Sequence, residues 1–201
     1  MGDNGEMTAR RWIPYVAGVV TFLLTLVVGG VAGTNWWASN IEMDRLVVAI
    51  EESEAAMADV LQRVDIVFDK IDGEVPPSGE DLDAETIAAV AELANIAVDG
   101  EAAISEAGRN IANLVILPWH TAILEAREAY LLHNYAWQAY MQSAQEDPVA
   151  FTVTQPLVNQ TFIDAQEPLE QAIPDPALFD LLKRVQQIFV EGLPESNGEV
   201  I

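Results

Sequence analysis

The first hydrophobic run of the chain has no polar face. From Val16 to Gly33 the residues are Val, Ala, Gly, Thr, Leu and Phe, without a charge. Positions four apart, Ala17, Thr21, Thr25, Gly29 and Gly33, are all small. Counted from Ile13, the run holds about 21 residues and would span roughly 30 Å as a helix, the thickness of a bilayer's hydrocarbon core. Its flanks carry Trp12 and Tyr15 at one end and Trp36 and Trp37 at the other, rings suited to the headgroup level. Arg10 and Arg11 precede it, and the next basic residue is Arg45. The pattern predicts a cytoplasmic tail over 1–11, a single transmembrane helix over 12–38 and everything after it outside the cell membrane. The apolar core is longer than a signal peptide's, so the anchor is expected to stay attached.

Residues four apart stack along one helix edge. Inside lipid, helices associate through close packing of small residues and through hydroxyl hydrogen bonds. The small edge Ala17, Thr21, Thr25, Gly29 and Gly33 therefore predicts a packing surface for integral membrane subunits.

After the anchor the period changes. Met43, Leu46, Ile50, Ser53, Met57, Val60, Val64, Val67 and Ile71 alternate spacings of three and four, with Ser53 the one polar position. This heptad seam predicts a helix over 39–72, either capped by Ser39 or Asn40 or continuing from the anchor. Gly73, Pro76, Pro77 and Gly79 end it. An alanine-rich helix follows, opened by Asp81 or Asp83 and running to about Leu117, with Gly100 and Gly108 marking close helix contact. Pro118 starts the next helix, whose seam reads Trp119, Ile123, Ala126, Tyr130, His133, Trp137 and Tyr140. Beyond Pro148, prolines at 156, 168, 174 and 176 cut the chain into short pieces; residues 151–154 (FTVT) are the one strand candidate. A last amphipathic run covers 177–190. The expected fold is all-α: a single N-terminal transmembrane helix, an extracytoplasmic helical bundle over 39–146, and short C-terminal helices with an acidic tail over 147–201. Its core seam comprises Leu46, Ile50, Met57, Val60, Val64, Val67, Ile71, Trp119, Tyr130 and Trp137.

Charge narrows the partners. Nine Lys+Arg face 32 Asp+Glu, a net of −23. Arg10 and Arg11 cancel Asp3 and Glu6, so the deficit lies beyond residue 40. Such a surface repels nucleic acid, and no nucleic-acid partner is expected. Without cysteine there is no disulfide framework, thiolate site or cysteine nucleophile.

Catalytic chemistry finds no foothold. The two histidines, His120 and His133, lack a glutamate three residues earlier, as a di-iron bundle requires. His133 reads as a hydrogen-bonded core residue and His120 as exposed or capping. No metalloprotease, hydrolase, phosphate-loop or EF-hand motif occurs. No catalytic residue, metal or cofactor is expected, and the protein is not expected to be an enzyme. A cytoplasmic portion of some eleven residues also disfavours a receptor acting alone.

The segment PYVAGVVTFLLTLVVGG, the acidic alanine-rich helical region and the scarcity of lysine (Lys70 and Lys183) resemble the accessory subunits of actinobacterial respiratory supercomplexes. The resemblance covers the whole layout and rests on architecture. It implies a structural role in a membrane complex, without haem or copper. The alternative is an extracytoplasmic ligand-binding module, with Trp119, Tyr130 and Trp137 lining its pocket.

Overall fold

A computed structural model describes residues 6–71, 83–153 and 155–191; the side chains of residues 6–20, 22–24, 26, 27 and 191 lie outside that description. The described residues are all-α: α1 (Glu6–Lys70), α2 (Ala84–Ala112), α3 (Thr121–Glu146), α4 (Pro156–Gln171) and α5 (Leu181–Glu191), with a short 3-10 helix at Pro148–Thr152. Two compact units divide the chain, Met1–Ser39 and Asn40–Ile201.

In the first unit, the Thr25 hydroxyl donates to the Thr21 carbonyl at 2.9 Å, and the Thr34 hydroxyl to those of Gly30 and Val31 at 3.0 Å. These hydroxyls are satisfied within their own helix. A Cβ added at Gly29, Gly30 or Gly33 would meet nothing within 4 Å. Among the described residues, no helix is long and apolar enough to cross a membrane. Most side chains of the predicted span 12–38 fall outside that set, including those of Trp12, Tyr15 and Ala17; so do those of Arg10 and Arg11.

The second unit is built by helices whose apolar faces meet. Asp83 caps α2 by accepting the Thr86 N–H at 2.7 Å. Partners along α1 set the directions. Glu42 meets His120, Glu54 meets Tyr130, and Gly100 faces both Val60 and Met141, so α3 runs parallel to α1. Arg63 pairs with Asp99 and Lys70 with Glu92, so α2 runs the other way. α3 packs against both α2 and α4. The core falls into two apolar clusters. One gathers Met43, Leu46 and Ile50 of α1 with Phe162 and Leu169 of α4 and Leu181 and Val185 of α5. The other gathers Met57, Val60, Val64 and Val67 with Leu93, Ile96 and Ile104 of α2 and Met141 of α3.

Several local expectations are corrected. Neither Ser39 nor Asn40 caps a helix, because α1 continues through both; Ser39 bonds the Trp36 carbonyl and Asn40 accepts the Leu178 N–H at 2.7 Å. The alanine-rich helix stops at Ala112, since the chain turns so that Leu114 and Ile116 pack on the core. Pro118 therefore lies in the connection rather than in the first turn of α3. The strand candidate begins as 3-10 helix, where the Asp147 carboxylate accepts the Val149 N–H; Thr154 lies outside the described residues. Pro168 does not divide the chain but sits inside α4. It forfeits one backbone bond, while buried Ala165 and Leu169 hold the helix on either side. The breaker segment 72–80 and the tail from 192 lie outside the described residues.

Candidate functional site: a buried polar layer

Between the two apolar clusters the α1 seam presents Ser53, fully buried, and beside it Glu54, whose side chain is 19% exposed. The α3 face opposite presents Tyr130, His133, Asn134 and Trp137. These groups hydrogen-bond in series. Asn134 Nδ2 donates to Ser53 Oγ at 3.3 Å and to the Ile104 carbonyl at 3.1 Å, while its Oδ1 accepts Gln138 Nε2 at 2.7 Å. The Ser53 hydroxyl also bonds the Tyr130 oxygen. Tyr130 OH donates to Glu54 Oε1 at 2.6 Å, and that oxygen lies 3.6 Å from His133 Nε2. Trp137 Nε1–H donates to the same His133 Nε2 at 3.1 Å. His133 Nδ1 reaches the Val158 carbonyl at 3.2 Å and Thr161 Oγ1 at 3.3 Å.

The partners assign the protons. An indole N–H only donates, so His133 Nε2 must carry a lone pair. A carbonyl only accepts, so Nδ1 carries the hydrogen. His133 is the neutral Nδ1–H tautomer, and burial pushes its pKa down to about 4 against a smaller opposing effect of the Val158 bond. Burial pushes Glu54 up to about 7, opposed by the Tyr130 hydrogen bond. Tyr130 is held well above 10 by burial first and by the neighbouring Glu54 carboxylate second. Desolvation dominates all three. The layer favours neutral groups.

A second buried contact lies nearer Asn40. Glu42 accepts the Leu117 N–H with both oxygens at 3.2 Å, and its Oε2 is 2.6 Å from His120 Nδ1. His120 is buried rather than exposed, and it holds the N-cap position of α3, the other place expected for it, without a side-chain cap bond. The two contacts are twelve residues apart on α1, roughly 18 Å of helix rise. Among the described residues no group of three or more His, Asp or Glu is placed to hold a metal ion.

No family model, curated protein or solved structure matches this chain.

The candidate residues do not all meet. Leu46, Ile50, Met57, Val60, Val64, Val67 and Tyr130 are buried, and Ile71 and Trp137 are partly so. Trp119 belongs to no core seam: it is 62% exposed in the connection before α3. The spacing that includes Trp119 crosses a helix start, and only residues from Thr121 onward follow it. The expected pocket therefore lacks the convergence it needs. Trp119 sits at the His120 layer, Tyr130 at the Glu54 layer, and the Tyr130 hydroxyl is bonded to Glu54. Thr21, Thr25, Gly29 and Gly33 are exposed in unit one, and Trp36 and Trp37 are 6.3 Å apart between ring centres. Glu54 and Asn134 escaped sequence reasoning. Ser53 was the available signal, a polar residue in an apolar seam that calls for a buried polar partner.

Proposed function

We propose that this protein is a non-catalytic, membrane-anchored accessory subunit of a larger membrane protein complex, and that a bacterial respiratory supercomplex is the complex it fits. Residues 12–38 form the anchor, residues 1–11 face the cytoplasm, and the rest lies outside the cell membrane. The observation that carries the reading is the uncharged run from Ile13 to Gly33 with one edge of small residues. Its support in unit one is twofold. Gly29 and Gly33 have open space where a side chain would be, and Val28 and Val31 are exposed. The Thr25 and Thr34 hydroxyls are spent on their own helix, as an apolar solvent demands. The bundle supports a scaffolding role, because its buried polar groups bind one another and Gly100 and Gly108 leave no room for even a methyl group without adjustment.

The test is assembly. Gly29→Leu with Gly33→Leu keeps the segment apolar but adds bulk where backbones would approach, at about 1 to 3 kcal/mol per site. Co-purification of partner subunits in mild detergent should fall by roughly tenfold or more at equal membrane levels. Leu23→Ala with Leu26→Ala, off the small edge, is the control and should retain partners. Full retention by the leucine variant would leave the edge without a role in assembly.

A further inference from the structure

The buried polar layer contains a geometry that calls for a proton. Glu54 Oε1 and His133 Nε2 face each other at 3.6 Å, beyond hydrogen-bond length. The one lone pair of Nε2 already accepts from Trp137, so His133 offers the carboxyl neither a hydrogen nor a positive charge. Were Glu54 ionised, a carboxylate would face an acceptor nitrogen in a desolvated layer, with the Tyr130 hydroxyl donating to it. A hydrogen on the Glu54 carboxyl removes the buried charge, and Oε1 can still accept from Tyr130. We propose that Glu54 and His133 are a matched one-proton pair, and that the match keeps the bundle's stability level across the mildly acidic range.

Among the described residues, the partners of this layer add no further charge. From α1 come Ser53 and Glu54; from α2 the Ile104 carbonyl, through Asn134; from α3 Tyr130, His133, Asn134 and Trp137. The α4 contribution is the Val158 carbonyl, Thr161 Oγ1 and the Phe162 ring, on which Phe189 of α5 stacks at 4.8 Å. Among the described residues the titratable groups meeting here are Glu54, Tyr130 and His133, and Tyr130 keeps its hydrogen throughout.

In an unfolded chain with ordinary values of 4.5 and 6.5, the pair between those pH values is carboxylate plus imidazolium. In the bundle it is carboxylic acid plus neutral imidazole. One proton is bound in each state, so folding moves it from His133 to Glu54 with no net uptake. The two contributions have opposite signs. For Glu54, raised to about 7, stabilisation is fully present below pH 4.5 and lost as pH rises to about 7. For His133, lowered to about 4, the penalty is full below pH 4 and gone above 6.5, so stability rises with pH. Between 4.5 and 6.5 the slopes cancel.

Breaking the match exposes each slope. Unfolding of the full-length chain in mild detergent would be followed from pH 4 to 8 for the wild type, Glu54→Gln, His133→Gln and the double variant. Ratios to wild type cancel the titration of the other carboxylates. The Glu54→Gln to wild-type ratio of folding constants should rise with pH between 4.5 and 7, by up to on the order of a hundredfold. The His133→Gln ratio should fall between 4 and 6.5 by a similar factor, and the double variant should run parallel to wild type. Infrared difference spectra at pH 6 supply a readout that needs no stable variant at His133. A protonated-carboxyl band should be present in wild type and in Tyr130→Phe, and lost in Glu54→Gln. Single variants that parallel the wild type, slopes of the reverse sign, or a wild type without that band would each overturn the pairing.

Discussion

At the scale of residues, two glycines on α2 show what the sequence could and could not reveal. Alanine-rich stretches interrupted by glycine mark close helix contact, and both Gly100 and Gly108 lie buried against neighbouring helices. Their ranking depends on what lies opposite, which requires the register of α3 against α2. At Gly100 an added Cβ would come within 3.1 Å of Met141 Sδ, the mobile end of a flexible side chain, and of a Val60 methyl. At Gly108 it would collide with the Asn134 amide, which is fixed by bonds to Ser53, Ile104 and Gln138. Alanine gains about 1 kcal/mol of helix propensity at either site. Gly100→Ala should therefore stay within about 1 kcal/mol of wild type. Gly108→Ala should lose about 2 to 4 kcal/mol, from overpacking and broken buried hydrogen bonds. Chemical denaturation of the two variants side by side checks the order; equal losses would mean that Asn134 can move aside.

At the scale of elements, the helices were legible and several ends were not. The heptad seam of α1 and the aromatic seam of α3 both face the core because periodicity records which face is buried. The connection 113–120 escaped because tertiary contacts shape it. Glu42 holds Leu117 N–H and His120, and Arg127 Nη1 donates to the Leu114 carbonyl at 3.3 Å. The last helix begins at Leu181, later than its amphipathic pattern predicted, since Phe179 and Asp180 take left-handed backbone with φ of 57° and 52°. Such non-glycine residues each cost about 1 to 2 kcal/mol, and the Asn40 to Leu178 bond beside them helps to hold the turn. Two fastenings then seat α5 on α1. Leu181, Val185, Ile188 and Phe189 are buried, while Arg184 grips Glu51 through Nε and Nη2 at 2.8 and 2.6 Å and Asp44 through Nη1 at 2.6 Å. The fork to Glu51, ahead of the bond to Asp44, holds the Arg184 pKa further above its ordinary value. Phe189→Ala should lower stability by about 3 to 5 kcal/mol. Arg184→Lys loses the fork geometry and should cost about 1 kcal/mol or less, with a salt dependence that Phe189→Ala lacks. Limited proteolysis around residues 172–180 would follow both, and equal sensitivity would show that the ion pairs hold α5 as firmly as its apolar face.

At the scale of the whole molecule, the central claim concerns where the chain lives. A continuous uncharged run is among the plainest signals a sequence offers, because its length can be compared directly with the thickness of a bilayer's hydrocarbon core. What the run contacts is not written in it, because a contact depends on the surface opposite as well. The buried layer at Glu54 was hidden for a related reason: a glutamate next to an apolar seam looks like any other of the 32 acidic residues until the register of α3 brings Tyr130 and His133 onto it. The most direct measurement is protease protection on intact spheroplasts that express the full chain, tagged at each end. An anchored protein with its bundle outside should stay with alkali-washed membranes, lose the C-terminal tag to added protease and keep the N-terminal tag protected. Recovery of the chain in the soluble fraction, or of a mature form starting near Thr34, would contradict the anchor and with it the proposed role.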